Sequence, residues 1–595
     1  MSSSNTPTRK LHNFFSSGAA GQTDAGRRDF VRGSVALAAS GALALSGCGG
    51  GDEDGIPVSF SHGVASGDPQ SDRVILWTRV RVATPAGSTA APDLRDLSLR
   101  WEVASDSEFK TIVASGNAEA SAARDHTVKV DAGGLQAGQK YFYRFSCQGQ
   151  LSPVGRTQTL PAAGSAVAQL KLAVFSCANY PAGYFNVYAE AAKRDDLDVA
   201  VHLGDYLYEY GRGGYASEQA KTLGREVEPA GETIALDDYR RRYAQYRADA
   251  DLQRLHAKLP MIAVWDDHEI TNDAWMNGAE NHQPATEGDY AKRKAAAIQA
   301  YHEWMPIRSQ TNTEQIYRSF AFGNLLALHM LDTRIVGRDE PLDYAKYTGA
   351  NGFDAVSFGK DMAKTDRQLL GAAQNGWLQQ QLAASSATWQ VLGQQVLMGR
   401  MNIPAPILFE ANYPGTGVSV SAYAAMVAKS QLAPATLTAQ ERAVLAQPSI
   451  PYNLDAWDGY AAARETVLAT ARQLNKNLVV LAGDTHNAWA SDLQDLAGNQ
   501  VGVEFATSSV TSPGFEVYLP KETPQVLAGA LTQLIGPLEY ADTSRRGFMV
   551  ITATAQECRS DWVYVSTITS REYTASVGKS LKVLPGQGQR RLVAV

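Results

Sequence analysis

The segment DVAVHLGDYLYEY, residues 198–210, predicts both the fold and the position of a functional site. It joins an apolar run of strand length directly to an aspartate and three tyrosines. Three other segments have the same form: LAVFSC at 172–177, MIAVWDDHE at 261–269 and LVVLAGDTH at 478–486. Such runs are typical of strands buried on both faces, and open α/β sheets collect ligands at the carboxyl ends of their strands. Aspartate is also a common turn former, but four such strand ends together indicate one shared site.

Longer helical segments alternate with these strands from residue 163 onward. Examples are FNVYAEAAKRDD at 185–196 and KRKAAAIQAYHEWM at 292–305. Because alternation of apolar strands and helices indicates an α/β domain, we predict that residues 163–595 form the catalytic domain.

Residues 58–162 have a different pattern. The runs VILWTRV (74–80) and LSLRWEVA (97–104) are rich in β-branched and aromatic residues and lie between turn-forming residues. This pattern predicts a smaller, all-β sandwich domain. The segment GLQAGQKYFYRF (134–145) resembles the end of a fibronectin type III module.

Residues 1–47 are predicted to be an export signal. Arg27, Arg28 and Phe30 precede a weakly apolar run of 15 residues, GSVALAASGALALSG, which is too short to span a bilayer. The pattern resembles a twin-arginine (Tat) signal. LSGC at 45–48 resembles a lipobox, which would make Cys48 a lipidated N-terminus; the alternative is a chance similarity with cleavage elsewhere. Residues 48–57 would then be a flexible linker, and the protein would be periplasmic, secreted or lipid-anchored.

Length, charge and cysteine content narrow the class of protein. The chain has 595 residues and a formal net charge of −7. Its length predicts more than one domain, and its acidic balance argues against a stable nucleic-acid partner. The four cysteines are scattered and form neither a disulfide framework nor a zinc motif. No later run is apolar enough to span a membrane, so a lipid on Cys48 would be the only membrane contact.

The words HLGDYLYEY (202–210), WDDHE (265–269) and GDTH (483–486) resemble the motifs of PhoD-type alkaline phosphatases. These enzymes are calcineurin-like metallophosphoesterases related to purple acid phosphatases. FSHGVASGDPQSDRVILWTRV (60–80) and VEFATSSVTSPG (503–514) are similar to further blocks of the family, so the resemblance extends over residues 58–570. It implies a four-layer α/β (α+β) sandwich, a two-site metal centre and hydrolysis of phosphate esters.

The resemblance implies that Asp205 bridges two metal ions. On one side, Tyr208 would bind as a phenolate and His486 as a nitrogen ligand, which suits a ferric ion. Cys177 stands where relatives usually have an aspartate, and a thiolate there strengthens the assignment of iron over calcium at that ion.

Oxygen ligands dominate the other side. Asp267 and Asp484 stand where relatives have asparagine and histidine, and Gln394 stands where a further histidine normally ends a strand. Oxygen ligands favour a hard cation such as calcium. Asp266 and Asn272 are further candidates, and which of Asp266 and Asp267 binds directly stays open. The expected cofactors are Fe³⁺ and Ca²⁺, with Zn²⁺, Mg²⁺ or Mn²⁺ as alternatives.

The predicted catalytic residues are Asp205, His268 and Arg334. The metal ions would hold the phosphate and supply an activated hydroxide that attacks phosphorus in line. His268 would steady the phosphoryl group or protonate the leaving oxygen. Arg334 and Arg338 would hold the substrate phosphate, with Asp332 as an anchor behind the metal ligands.

We therefore expect an exported, monomeric phosphatase that hydrolyses phosphate monoesters, and also diesters, for phosphate acquisition. Its partners would be small phosphate esters and, during export, the Tat translocase. An alternative is a phospholipase D-like or nuclease-type phosphodiesterase on the same fold. The choice between the two would depend on the shape of the pocket and on its lids, which are predicted in segments such as 211–235 and 405–450. A third hypothesis, from another class, is an exported binding or adhesion protein without activity.

Overall fold

The computed structural model describes residues 57–83, 93–349, 352–412 and 415–595. The predicted export signal, Cys48 and the linker up to residue 56 lie outside the described residues. Within the described residues the chain forms a mixed α/β fold with two large sheets, which confirms the predicted fold class.

The larger sheet has ten strands, and its central strands carry three of the predicted ligand segments. Gln169–Phe175, Val199–His202 and Met261–Ala263 run parallel and in register, so that they end at one edge of the sheet. In spatial order the strands are Leu592–Ala594, Ala575–Val583, Cys558–Val565, Arg546–Thr554, Gln169–Phe175, Val199–His202, Met261–Ala263, Val64–Gly67, Arg73–Arg79 and Thr127–Gly133.

The second sheet has seven strands and carries the fourth ligand segment. Its strand Leu478–Ala482 lies between two parallel neighbours, Trp389–Gly393 and Gln500–Ala506. In spatial order the strands are Arg318–Phe322, Leu326–Met330, Trp389–Gly393, Leu478–Ala482, Gln500–Ala506, Ala488–Gln494 and Leu538–Asp542.

The two sheets pack face to face, because alternate side chains of one strand enter different cores. Val479 and Leu481 lie in a core shared with the central strands of the larger sheet. Leu478 and Val480 point the other way, into a core shared with the outer helices of the smaller sheet. With helices outside both sheets, the arrangement has four layers.

Helices cover the outer faces of both sheets. Those that share the first core are Asn186–Ala192, Leu236–Arg247, Ala250–Lys258 and Tyr290–Trp304. Those that share the second core include Gly371–Ala384, Ala461–Gln473 and Pro524–Leu534. The remaining helices are Ala220–Leu223, Pro284–Glu287, Ala355–Met362, Ala405–Asn412, Val420–Leu432, Ala439–Leu445 and Phe515–Tyr518.

The N-terminal region is rich in strands but shares a sheet with the rest of the chain. Its Val64–Gly67, Arg73–Arg79 and Thr127–Gly133 extend the ten-stranded sheet, whereas its other long strands form a five-stranded sheet. A separate core lies between these two groups. The predicted division at residue 162 stays a prediction. The five-stranded sheet consists of Gly155–Gln158, Lys140–Cys147, Leu97–Ala104, Ile112–Ala120 and Gln150–Leu151.

Four short two-stranded sheets complete the strand content of the described residues. Along 57–83, 93–349, 352–412 and 415–595, no helix has the length and apolar character that crossing a membrane requires. The short pairs are Val58–Ser59 with Arg81–Val82, Ala274–Trp275 with Gly278–Ala279, Thr348–Gly349 with Gly352–Phe353, and Asn402–Pro404 with Ser449–Pro451.

A buried ion pair joins the N-terminal region to both sheets. Asp68 follows the strand Val64–Gly67, and its carboxylate accepts hydrogen bonds from Arg318 Nε and Nη2 at 2.9 and 2.6 Å. Arg318 also donates to the carbonyl oxygen of Ala263 at 2.8 Å. Because the Asp68 side chain is only 2% exposed, its loss would leave the Arg318 cation without a partner in a poorly solvated place.

We predict that Asp68→Asn lowers the free energy of unfolding by about 3 kcal/mol, because removing one partner of a buried ion pair leaves the other charge uncompensated. Asparagine tolerates the left-handed backbone at this position, so the substitution removes the charge and one acceptor oxygen without straining the turn. The measurement is the midpoint of thermal unfolding. Asp72→Asn, which breaks an exposed pair with Arg73, is the control and should leave the midpoint unchanged. Equal midpoints for the two variants would contradict the prediction.

Candidate active site

Four predicted ligands occupy an unusual backbone conformation just beyond the ends of their strands. Cys177, Asp205, Asp484 and His486 have φ angles of 61°, 54°, 64° and 62°. Left-handed conformations are unfavourable for residues with a Cβ atom, and strained residues of this kind cluster at functional sites. Each strand is thus followed by a sharp turn that directs the ligand toward the other strand ends.

Two glycines allow the turns after the strands to approach one another: Gly204 lies against a neighbouring turn of the larger sheet, and Gly483 joins the smaller sheet to the larger one. A Cβ atom on Gly204 would lie 2.4 Å from the Cβ of Asp266, and one on Gly483 would lie 2.3 Å from Ser176 Oγ. Both distances are well inside van der Waals contact, so these positions require glycine. The close approach puts residues of the larger sheet, such as Asp205, beside residues of the smaller sheet, such as Asp484.

The first half of the site combines sulfur, phenol, carboxylate and imidazole. Ligand atoms of Cys177, Asp205 and His486 lie within 4.8 Å of one another. Tyr208 Oη donates to Asp205 Oδ2 at 3.0 Å and lies 3.1 Å from His486 Nε2. The structure therefore brings together the four residues that the sequence assigned to the iron side.

Surrounding groups orient this half of the site. His486 Nδ1 lies 2.9 Å from the carbonyl oxygen of Pro513, which accepts a hydrogen bond only when Nδ1 carries the proton. That tautomer leaves the Nε2 lone pair directed to the site, as metal-binding histidines require. Burial lowers the pKa of His486 to about 3, so its ring is neutral. Ser512 Oγ donates to Tyr208 Oη at 2.7 Å, and Tyr215 Oη lies 3.1 Å from His486 Nδ1.

The second half of the site consists of carboxylates. Ligand atoms of Asp266, Asp267 and Asp484 lie within 4.8 Å of one another, and Asp205, Asp267 and His268 form a third such group. Asp205 and Asp267 therefore connect the two halves. All of these side chains are buried.

Four carboxylate oxygens in this place are buried and have no hydrogen-bond partner: Asp205 Oδ1, Asp266 Oδ2, Asp267 Oδ1 and Asp484 Oδ2. Buried carboxylates that lack such partners are costly unless a cation binds them. The donor set on both sides, with a thiol and a phenol in one half and carboxylates in the other, fits a centre that holds metal ions.

Burial also changes the protonation of the acids. It raises the pKa of Asp205 and of Asp484 well above the ordinary value, with neighbouring acids adding to the effect. It raises the pKa of Asp266 to about 7. For Asp267, Arg334 and His268 outweigh burial and hold the pKa below its ordinary value. Metal binding would therefore displace protons, and affinity should rise with pH.

His268 is held in its protonated form by a carboxylate that the sequence analysis did not identify. Its Nδ1 lies 2.6 Å from Glu209 Oε2. Burial disfavours the imidazolium, but the negative charges of Glu209, Asp267 and Asp205 outweigh burial, so the pKa of His268 lies well above its ordinary value. Because Glu209 engages Nδ1, Nε2 is the ring atom that remains for a substrate.

Arg334 and Arg338 lie at the site, but their guanidinium groups contact carboxylates of the chain. Arg334 Nη2 donates to Asp484 Oδ1 at 2.9 Å and Nη1 to Asp455 Oδ2 at 2.6 Å, and Nε donates to Asp266. Arg338 donates to the carboxylate of Asp455 as well. Direct contact of these arginines with a substrate phosphate stays a prediction.

Asp332 behaves as an anchor in the structure. Its carboxylate accepts the backbone N–H groups of Arg334 and Ile335 at 2.7 and 2.9 Å. It also accepts the indole N–H of Trp265 at 3.1 Å. These bonds fix the turn from which Arg334 enters the site.

Gln394 and Asn272, both predicted ligands, form hydrogen bonds with residues outside the ligand clusters. Gln394 Oε1 accepts the indole N–H of Trp457 at 3.0 Å, and its amide donates to the carbonyl of Val396. Asn272 donates its backbone N–H to Glu209 and its side-chain amide to Glu280. The metal contacts of Gln394 and Asn272 stay predictions.

Sequence reasoning did not identify four residues that shape the site. Glu209 lies inside the motif HLGDYLYEY, and Asp455 lies in the segment NLDAWDGY at 453–460, but nothing in the spacing shows which acid faces inward. Glu269 accepts three backbone N–H groups, including those of Asp205 and Asp266, and so fixes the ligand turns. Ser512 had only its position in a conspicuous TSPG turn as a signal.

Comparisons with known proteins show that the chain is similar to phosphatases. A family model described as PhoD-like phosphatase matches residues 172–562, and one described as PhoD-like phosphatase, N-terminal domain, matches residues 47–161. Alkaline phosphatase D of Bacillus subtilis (strain 168) is 35% identical over 519 residues, which cover 86% of this chain and 78% of that protein. The solved "Structure of PhoD" is 32% identical and matches with a TM-score of 0.71, covering 92% of this chain and 93% of that one.

We predict that Glu209→Gln shifts the alkaline limb of the pH profile for kcat/KM to lower pH. Glu209 raises the pKa of His268, so its neutralisation lets His268 lose its proton at lower pH. The measurement is kcat/KM for a phosphate ester across the alkaline range. Glu504→Gln is the matched control, since Glu504 is buried but bonds backbone N–H groups of Met398 and Gly399 instead. An unchanged alkaline limb in Glu209→Gln would contradict the role given to the pair.

Proposed function

Because the chain belongs to the PhoD-like phosphatase family, we propose that it hydrolyses phosphate monoesters, and diesters as well, to release phosphate for uptake. The protein is a phosphoric ester hydrolase by its relationship to alkaline phosphatase D. One observation carries the finer proposal: buried carboxylate oxygens without hydrogen-bond partners converge beside a thiol, a phenol and an imidazole. Such an arrangement suits two different cations.

The cofactors we propose are Fe³⁺ and Ca²⁺. Cys177, Tyr208 and His486 would hold iron together with Asp205, because thiolate and phenolate are strong anionic ligands for a ferric ion. Asp267 and Asp484 would hold calcium, since carboxylate oxygens without nitrogen or sulfur ligands favour a hard divalent cation. Asp266 offers a further unpartnered oxygen on the same side.

Bound there, the two cations would supply charge compensation for the phosphate and acidify an attacking water. The residues of the chain do the rest. Asp205 would help to hold both cations, and the Glu209 carboxylate keeps His268 charged. His268 Nε2 is then positioned to donate a proton to the leaving oxygen. The aromatic rings of Tyr208 and Tyr210, with centroids 4.1 and 5.4 Å from that of His268, limit how far the imidazole moves.

We further propose that the enzyme acts as an exported monomer. All predicted ligands come from one chain, so the site needs no second copy. The twin arginines at 27–28 and the LSGC at 45–48 support export by the Tat route and a lipid on Cys48. Export in a folded state would let the protein acquire its metals before it leaves the cytoplasm.

We predict that the purified protein contains iron and calcium, absorbs visible light and hydrolyses p-nitrophenyl phosphate. Cys177→Ala and Tyr208→Phe should each remove most of the iron, and Tyr208→Phe should also remove the absorption that the phenolate gives. Metal analysis, visible spectroscopy and the hydrolysis rate are the measurements. Cys558→Ala, at a buried thiol far from the site in the C-terminal strands, is the control and should retain iron and colour.

A colourless protein that contains zinc alone would overturn the metal assignment, whatever its activity. A protein that carries iron and calcium but hydrolyses neither p-nitrophenyl phosphate nor its bis-ester would overturn the proposed substrates. The ratio of the two rates separates a monoesterase from a diesterase.

Export is tested by location. We predict that Cys48→Ser moves the protein from the membrane fraction to the soluble exported fraction, because the thiol that carries the lipid is lost. Replacement of Arg27 and Arg28 by lysine should leave the protein in the cytoplasm. Cell fractionation with immunodetection is the measurement, and Cys147→Ser is the control. An unchanged membrane fraction for Cys48→Ser would contradict lipidation.

A further inference from the structure

The carboxylate half of the site contains a permanent cation of the chain. Arg334 has no exposed side-chain surface, and its guanidinium donates to Asp266, Asp484 and Asp455. Arg334 Nη2 also lies 3.5 Å from Asp267 Oδ1. The three nitrogens Nε, Nη1 and Nη2 are therefore all engaged by carboxylates.

In each of Asp266, Asp267 and Asp484, one carboxylate oxygen bonds the protein and the other does not. Asp266 and Asp484 each give Oδ1 to Arg334, and Oδ2 of each is buried without a hydrogen-bond partner. Asp267 gives Oδ2 to the backbone N–H of Asp273 at 2.6 Å, and its Oδ1 has no hydrogen bond. Each acid is thus fixed by one oxygen, while its second oxygen is left for a cation.

Hydrogen bonds from neighbouring buried residues fix Arg334 itself. Asp455 bonds both Arg334 and Arg338, and Arg338 also donates to the backbone carbonyl of Asp455 at 2.6 Å. Arg338 Nη1 donates to the carbonyl of Thr333 at 3.0 Å. Asp332 fixes the backbone N–H of Arg334. All of these side chains are fully buried, so the guanidinium has one available orientation.

We propose that Arg334 is a positioning residue for the divalent cation of the carboxylate half, and that Asp455 and Arg338 keep it in that role. The inference rests on the proposed metal centre and goes beyond it. Arg334 holds the repelling acids together and orients their remaining oxygens. Its single charge, set against Asp266, Asp267 and Asp484, leaves a net charge that a divalent ion balances, whereas Arg338 offsets Asp455. This role differs from the contact with substrate phosphate that the sequence suggested.

The test compares calcium affinity with the state of the iron half. Arg334→Lys keeps the charge but loses the planar fork that bonds several carboxylates at once, and Asp455→Asn removes the anion that holds the fork. Calcium-stripped protein is titrated with Ca²⁺ by calorimetry, and the visible absorption of the iron half is recorded on the same samples. Matched controls come from a buried ion pair outside the ligand clusters, in which Arg225 Nη1 lies 2.7 Å from Asp249 Oδ2. The control variants are Arg225→Lys and Asp249→Asn.

We expect Arg334→Lys to raise the Kd for Ca²⁺ at least tenfold. Asp455→Asn should also raise this Kd, and the visible absorption should be unchanged in both variants. The control variants should bind Ca²⁺ as the parent does. Unchanged or tighter Ca²⁺ binding in Arg334→Lys would overturn the proposal. Joint loss of Ca²⁺ binding and absorption in both variants would also overturn it, because Arg334 would then support the whole centre. Failure of the parent protein to bind Ca²⁺ would instead count against the proposed cofactors.

Discussion

Mutual repulsion among buried carboxylates is the constraint on which the rest of the structure depends. Two full charges within 4.8 Å of one another repel by about 3.5 kcal/mol or more at an effective dielectric constant of about 20. Asp266, Asp267 and Asp484 lie within this distance of one another, and Asp205 lies within it of Asp267, in a place that solvent does not reach. The acids therefore need protons, protein cations or metal ions, and the structure provides for all three.

The fold meets this constraint by bringing strand ends of two sheets to one point. Apolar strands supply the free energy of burial, and the turns after them accept left-handed conformations that cost free energy locally. Gly204 and Gly483 remove the side chains that would keep the turns apart. Glu269 then ties three backbone N–H groups of the turns together. The cores on either side of the smaller sheet make this local cost tolerable.

The sequence predicted which side chains lie together at the strand ends better than it predicted the residues that support them. Parallel strands end at one edge, so Cys177, Asp205 and Asp267 could be placed together from their position after apolar runs. Glu209 and Asp455 could not, because they contact residues 59 and 121 positions away, and a contact at that distance leaves no periodic signal. The shared sheet was equally hidden: strands of the N-terminal region look like those of an independent sandwich, although Arg73–Arg79 continues the catalytic sheet through Val64–Gly67.

The positive charges around the acids differ in permanence, from a fixed arginine to a titratable histidine and an exchangeable metal ion. This difference gives the acids different roles. Arg334 is a permanent cation, His268 is a cation only while Glu209 supports its proton, and a metal ion is exchangeable. Asp267 is influenced by both protein cations, which hold its pKa low, so it is ionised before any metal arrives. Asp205 and Asp484, whose pKa values burial raises, must give up protons as a metal binds. The cations built into the chain thus determine which oxygen attracts an incoming ion first.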